Sequence, residues 1–329
     1  MPPVRRKRYR YRLRRLTPVG FLVVLAGFGG AWVGSHKPTD SFASNVPVAV
    51  TNVRLAAAAA HPVLAEKPAA APERLLSAGS LVRHEFSPRL SAAAAVLVDA
   101  KTGRVLWGRN AHERRQVAST TKIMTALIAF RNLRPNDIVT VDKSVPRVPL
   151  VREGLRAGER VAAWKLFTSM LLFSGNDDAL ALAIAASGDK WTFIRAMNAE
   201  ADRLGLRDTH FSSPSGVKDA DNYSSAWDLA ALTRVAMRND RFRKIVRMKI
   251  AHVKWSAPTY AKIYVNNNRL LTSYTGADGV KTGYTHKAGP CLVASATRGK
   301  VSLIAVVLDS SNMYGDATRL LDLGFASLG

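Results

Sequence analysis

Two apolar runs in the C-terminal third, CLVASATR at 291–298 and VSLIAVVLDS at 301–310, carry a strong strand pattern, and whatever else the chain does must be built around them. A third strand is predicted over 279–284. Earlier, AAAVLVDAKTGRVLWGRNA places two β-type runs around a Lys101-Thr102-Gly103 turn, which reads as a hairpin. Between that hairpin and the late strands, helical patterns cover 121–131, 163–173, 178–187, 190–204 and 225–238, and a last one closes the chain at 314–327. A hairpin, a block of helices, consecutive strands and a final helix predict an α+β fold: an antiparallel sheet flanked by helices. The hydrophobic fraction of 47% over 329 residues is ample for such a core, and no internal repeat is visible.

This body is expected to occupy 88–329. Residues 1–35 join a basic leader to PVGFLVVLAGFGGAWVG, an uncharged stretch of 17 residues at the lower limit for a membrane span. The cations before it orient the N-terminus to the cytoplasm and the body outside. The segment reads as a signal anchor or a cleaved signal peptide, with Val33-Gly34-Ser35 a mediocre cleavage site. Residues 36–87 are Ala- and Pro-rich and read as a linker that holds the body away from the cytoplasmic membrane.

The net charge of +24 resembles a nucleic-acid footprint until its distribution is considered. Eight of the cations lie in the first 15 residues, and from residue 88 onward 35 Lys and Arg face 20 Asp and Glu. The body's cations are scattered among apolar segments without interleaved aromatics, so no nucleic-acid partner is expected. The single cysteine, Cys291, sits in an apolar run and reads as a buried small hydrophobe. The histidines show neither an HExxH pattern nor zinc spacing, so neither a metal nor a cofactor is expected.

The chemistry is concentrated elsewhere. In VASTTKIMTAL, Lys122 stands three residues after Ser119, where a helix begins. A cation in a first helical turn faces the positive end of the macrodipole and costs about 0.3–1 kcal/mol. Helix stability alone does not place it there. A serine is a weak nucleophile until a base takes its proton, and a lysine can be that base once its pKa is lowered. Positions i and i+3 of a helix share a face, so Ser119 and Lys122 can meet. The spacing by itself decides nothing, because Ser-x-x-Lys recurs at Ser187-x-x-Lys190 and Ser215-x-x-Lys218. Lys-Thr-Gly also occurs twice, at Lys101 and Lys281, and Ser-x-Asn twice, at Ser174 and Ser310. Context separates the copies. Only Ser119 precedes a long apolar helix; Ser174-x-Asn176 lies between two helical runs; Lys281-Thr282-Gly283 follows an Asp278-Gly279 turn into a strand.

The ordered set Ser119-x-x-Lys122, Ser174-x-Asn176 and Lys281-Thr282-Gly283 is the signature of penicillin-recognising serine enzymes. With LLFSGNDDALALA, LGLRDTHFSSPSG, NYSSAWDLA and NNNRLL around it, the body from about residue 90 resembles the serine-type D-alanyl-D-alanine carboxypeptidases, the low-molecular-mass penicillin-binding proteins of the S11 peptidase type. The resemblance implies a β-lactamase/transpeptidase-like fold, peptidoglycan stem peptides as substrate and β-lactam antibiotics as covalent inhibitors. It implies that Ser119 attacks the penultimate D-Ala carbonyl, Lys122 takes its proton and Ser174 relays that proton to the leaving D-Ala. Asn176 would bond the substrate amide, and Lys281 with Thr282 would hold the terminal carboxylate. Gly283 would let the substrate backbone approach the strand, and the N–H groups of Ser119 and Tyr284 would form the oxyanion hole. Tyr284 stands where a histidine is common, which bears on substrate preference. No C-terminal β-domain or amphipathic anchor is expected after the closing helix, so the N-terminal segment would take over membrane attachment if uncleaved.

Three other activities are compatible with these motifs. A class A β-lactamase needs a carboxylate between the second and third motifs for deacylation; the only glutamate there is Glu200, in a helical run where a surface position is expected. A D,D-endopeptidase would cut crosslinks with the same residues. A non-catalytic wall-binding protein would keep the site as a relic.

Overall fold

The computed structural model describes residues 75–77, 88–217, 221–255 and 260–328. Its centre is a five-stranded antiparallel sheet made from both ends of the body. The chain enters it through β1 (Ala94–Asp99) and β2 (Val105–Arg109). It then leaves for a helical block. This contains β3 (Arg115–Gln116), α1 (Lys122–Asn132), β4 (Ile138–Thr140), β5 (Arg160–Ala162), α2 (Ala163–Leu172), α3 (Asn176–Ser187) and α4 (Lys190–Arg203). It continues through β6 (Tyr223–Ser224), α5 (Ala226–Ala236), α6 (Asp240–Val246), the hairpin β7 (Ile250–Val253) and β8 (Lys262–Val265), and α7 (Leu270–Ser273). The chain returns through β9 (Ala277–Thr285), β10 (Gly289–Arg298) and β11 (Val301–Leu308) and ends in α8 (Met313–Leu328).

The strand order is β2-β1-β11-β10-β9, so the expected hairpin joins the late strands by pairing β1 with β11, Val96 opposite Val306. Both faces of the sheet are covered, which explains why β11 reads as a nearly unbroken apolar run rather than an alternating one. Successive side chains point to opposite faces. Val96, Val98, Val293, Ile304 and Val306 join the helical block around α1, α2, α3 and α5. Leu97, Leu292, Leu303, Ala305 and Val307 face Leu320 and Leu321 of α8. The sheet is thus a shared wall, with β9 as its edge strand.

Several expectations change in detail. The first predicted helix begins with a tight 3-10 turn, Ala118–Thr121, before α1. The helix after the second motif starts at Asn176 itself. Asp278 and Gly279 do not turn: both lie within β9, Gly279 opposite Ser295 of β10 and Asp278 at an irregularity in the pairing, where its carboxylate accepts from the Ser295 and Thr297 hydroxyls. α6 and the β7–β8 hairpin fill a stretch for which the sequence pattern predicts no element; α6 is capped by the Asn239 side chain, which accepts from the N–H groups of Arg241 and Phe242.

The predicted linker reaches further into the body than its composition suggested. Leu75 and Leu76 are buried in the core, Ser77 bridges to Arg104, and the Arg234 guanidinium donates to the Leu75 carbonyl at 2.7 Å. The leader at 1–35 and most of 36–87 lie outside the described residues. Among the described residues no helix is long and apolar enough to cross a membrane.

Candidate active site

Ser119 sits in the 3-10 turn and Lys122 is the first residue of α1. In a 3-10 turn residues i and i+3 eclipse one another, a closer alignment than the α-helical face expected from sequence. Ala118, just before the serine, takes a left-handed φ of +47°, which aims the turn at the sheet edge. The turn is held from several sides. Thr120 Oγ1 donates to the Val117 carbonyl at 2.7 Å, Asn222 Nδ2 donates to Thr121 Oγ1 at 2.8 Å, and Thr125 Oγ1 donates to the Pro214 carbonyl at 2.6 Å. Gly216 lies so close that a Cβ there would sit 2.0 Å from the Ala118 carbonyl oxygen.

Lys122 is fully buried, and its Nζ has three polar neighbours: Ser119 Oγ at 2.9 Å, Asn176 Oδ1 at 2.8 Å and the Ser215 carbonyl at 3.1 Å. The last two can only accept. The Asn176 orientation follows from its other end, where Nδ2 donates to the Pro149 carbonyl at 2.9 Å. A neutral amine that donates one hydrogen to each acceptor turns its lone pair toward the Ser119 hydroxyl. The environment favours that form. Burial pushes the Lys122 pKa well below its ordinary 10.5 and the charge on Lys281 adds to this, with Asp178 and Asp177 opposing.

Ser174 precedes α3 in a left-handed conformation with φ +77°, and it lines the same cleft as Ser119. Asn176 is buried and its described hydrogen bonds are structural: Lys122, Pro149 and, through its own N–H, the Val151 carbonyl at 2.9 Å. Its side chain thus anchors Lys122, an arrangement the sequence motif did not indicate. Next to it, Asp177 accepts the N–H groups of Glu153, Gly154 and Leu155 at 2.7, 2.8 and 3.2 Å and fastens that loop to α3.

The third wall is β9. Pro290 of β10 stands opposite Tyr284, and its carbonyl accepts from Ser310 N at 2.9 Å on the far side. In an antiparallel ladder a residue's N–H and C=O point the same way, so the Pro290–Tyr284 pair carries no ladder bonds. The N–H of Tyr284, and of Thr282 two residues earlier, therefore faces the open edge. The Ser119 N–H lies close by: a Cβ on Gly283 would meet Ser119 N and the Val117 oxygen at 3.0 Å and Ala118 Cβ at 3.2 Å. The strand thus approaches the nucleophile turn closely at Gly283, where a side chain would crowd Ser119, a constraint additional to the substrate clearance expected. Lys281 is buried, donates to the Thr282 carbonyl at 3.0 Å, and is pushed down to about 7 by burial. Tyr284 is exposed beside His286.

Ser119, Ser174, Thr282, Gly283 and Tyr284 line one cleft of about 760 Å³, and Lys122 and Lys281, neighbours of these residues in the chain or by hydrogen bond, are buried. Such an arrangement suits acyl transfer: a nucleophile with its base, two N–H groups near it, and a cation for an anionic substrate end.

The comparisons with known proteins agree with this geometry. Residues 82–312 match the family model of the S11 peptidases, described as D-alanyl-D-alanine carboxypeptidase. The chain belongs to that family. The D-alanyl-D-alanine carboxypeptidase DacF of Bacillus subtilis is 35% identical over 71% of this chain and 62% of its own length. The D-alanyl-D-alanine carboxypeptidase of Streptomyces sp. strain K15 is 35% identical over 77% of this chain and 94% of its own. Among solved structures, the Streptomyces K15 DD-transpeptidase superposes with a TM-score of 0.70 at 35% identity, over 73% of this chain and 99% of that one. A penicillin-binding protein homologue from Mycobacterium tuberculosis gives 0.70 at 31% identity, over 74% and 95%.

Within this S11 fold the duplicate motifs sort themselves by position. Lys101-Thr102-Gly103 is the turn after β1, with Asp99 accepting the N–H groups of Lys101 and Thr102. Ser310 lines the cleft but its hydroxyl donates to Asp316 at 2.8 Å, and Asn312 caps the start of α8 through Gly315 N. Ser215 belongs to a duplicate motif yet supplies the carbonyl that Lys122 bonds, a main-chain role that no side-chain pattern signals. Glu200 is buried rather than on the surface: Arg131 and Arg203 each grip its carboxylate in a fork, at 2.5–2.8 Å. That occupation leaves it structural. Cys291 is buried in β10 as expected. Among the described residues no cluster of His, Cys, Asp and Glu could hold a metal.

Proposed function

We propose that this S11 enzyme removes the terminal D-Ala from peptidoglycan stem peptides through an acyl-enzyme on Ser119. The observation that carries the reading is the Lys122 amine, held by two pure acceptors with its third polar neighbour the Ser119 hydroxyl. Ser119 Oγ attacks the carbonyl carbon of the penultimate D-Ala while its proton passes to Lys122 Nζ. The oxyanion is received by the N–H groups of Ser119 and Tyr284, each such donor being worth about 3 kcal/mol in comparable sites. As the C–N bond breaks, the proton returns through Ser174 to the departing D-Ala nitrogen. Water, deprotonated by Lys122, then cleaves the ester and restores the serine. Lys281, in its protonated form, meets the terminal carboxylate with the Thr282 hydroxyl. β-Lactams acylate the same serine and stay attached.

The leader at 1–35, as a signal anchor or a cleaved signal peptide, sends the body to the periplasm or the outer face of the cytoplasmic membrane, with 36–74 as spacer. An amine in place of water would turn the same acyl-enzyme toward transpeptidation, the activity in the K15 neighbour's name.

Full-length protein incubated with a fluorescent penicillin is expected to be labelled covalently, and Ser119→Ala to remain unlabelled. Equal labelling of the variant would refute the mechanism. Mass analysis of a pentapeptide stem and, separately, of a crosslinked dimer distinguishes loss of one alanine from scission of the crosslink.

A further inference from the structure

The catalytic assignment leaves one cation of the cleft without a role. Arg269, immediately before α7, lines the cleft together with Asn267, Thr282 and Tyr314, and no Asp or Glu is among the described residues that line it. Lys122 and Lys281 are buried, whereas the Arg269 side chain is exposed. Its guanidinium lies over the Tyr314 ring, 5.7 Å from the centroid. That ring is fixed from its other end, since the Tyr314 hydroxyl donates to the Asn267 carbonyl at 2.7 Å. The Arg269 carbonyl is fastened too, accepting from the N–H groups of Thr272 and Ser273 in the first turn of α7. Both the backbone and the stacking platform of this arginine are thus pre-set.

A guanidinium resting over an aromatic ring keeps its N–H groups free to act as a planar two-pronged donor, the geometry that matches a carboxylate. With no Asp or Glu among the described residues that line the cleft, a ligand carboxylate is the acceptor that fits this fork. The substrate's C-terminal carboxylate already has Lys281 and Thr282.

We propose that Arg269 receives a second carboxylate, carried on a side chain of the stem peptide upstream of the scissile bond, so that the preferred donors are dianionic. This rests on the carboxypeptidase reading and adds a specificity residue to it. Tyr314 acts as its positioning residue.

The test uses two matched donors, Nα-acetyl-Lys-D-Ala-D-Ala peptides whose lysine Nε is either acetylated or succinylated, so that they differ by one side-chain carboxylate. D-Ala release and the ability of each peptide to slow fluorescent-penicillin labelling are both measured with the full-length protein at low salt. Wild type is expected to favour the succinylated donor about tenfold in kcat/KM and in competition. The ratio should collapse toward one in Arg269→Gln, recover in part in Arg269→Lys, and shrink in Tyr314→Leu. Because the ratio is internal to each preparation, a loss of folded protein does not mimic the effect. A ratio near one in wild type, or one that Arg269→Gln leaves in place, overturns the proposal. If neither donor releases D-Ala, the carboxypeptidase reading fails, and the competition ratio still decides for or against the arginine.

Discussion

Replacing Lys281 with methionine is expected to stabilise the protein while disabling it. The ammonium of Lys281 is buried, burial alone lowers its pKa from 10.5 to about 7, and its one described hydrogen bond goes to the Thr282 carbonyl. Below pH 7 both the folded and unfolded chains hold the proton, so the full penalty of burying the charge, about 5 kcal/mol, is present. Between pH 7 and 10.5 the unfolded chain binds a proton that the folded chain has released. Stability therefore rises with pH by up to about 1.4 kcal/mol per pH unit over that window. Methionine has nearly the same length and no charge to bury, and Lys122 loses a repelling neighbour. Exchanges of buried ions for apolar groups have gained about 1–4 kcal/mol elsewhere, so a gain of about 2–4 kcal/mol at pH 6.5 is expected. Urea unfolding of wild type and Lys281→Met across pH 6 to 9.5 reads the difference, which should narrow as pH rises because the wild type recovers what the variant never lost. Penicillin acylation should fall by about 100-fold, since the substrate carboxylate loses its cation. A variant no more stable than wild type at pH 6.5, or a gap that does not narrow with pH, would refute the reasoning.

Gly283→Ala pushes a methyl against Ser119 N and the Val117 oxygen at 3.0 Å, so β9 and the nucleophile turn must part; a drop of about 100-fold in acylation rate with little change in thermal midpoint is expected from stopped-flow labelling and calorimetry. Asp178 is buried, and burial, then Asp177 and Glu153, push it well above the usual carboxylate range against the pull of the nearby Ser169 hydroxyl, which itself donates to Glu153. The folded chain keeps that proton after the unfolded chain loses its own above about pH 4, so stability falls as pH rises, and Asp178→Asn should raise the urea midpoint at pH 7 but hardly at pH 3. Burial raises the Glu200 carboxyl, but the bonds from Arg203 and Arg131 outweigh it and hold it below its ordinary value. Its contribution is therefore present above the usual carboxylate range and lost as pH falls through the folded value; with both guanidinia about half exposed, Glu200→Gln should cost about 2 kcal/mol in urea unfolding at pH 7 and leave acylation intact.

The parts of the site that were legible in sequence are those that depend on order along the chain. Ser119, Lys122, Ser174 and Lys281 could be picked out from their duplicates because an apolar helix, an interhelical loop and a strand pattern surround them. What could not be read depends on contacts between distant segments. Asp278-Gly279 has turn chemistry, yet pairing with β10 draws it into β9. Glu200 looks solvated until Arg131, 69 residues away, arrives beside it. Gly283 reads as room for a ligand, and nothing in the sequence shows that its missing Cβ also lets the Ser119 turn approach the strand.

The protonation states of the two lysines belong to the same class of hidden fact. Nothing in Lys122 or Lys281 as residues says which is base and which is cation; burial lowers both. Lys122 has two acceptors for its hydrogens and the serine for its lone pair, and it bears the repulsion of Lys281. Lys281 donates to one carbonyl, and no Asp or Glu is among the described residues that line the cleft. A substrate carboxylate entering that cleft favours the charged form of Lys281, and the charge on Lys281 disfavours the charged form of Lys122. Burial and the repulsion of a charged Lys281 both favour the neutral form of Lys122, the form that can take the proton Ser119 gives up.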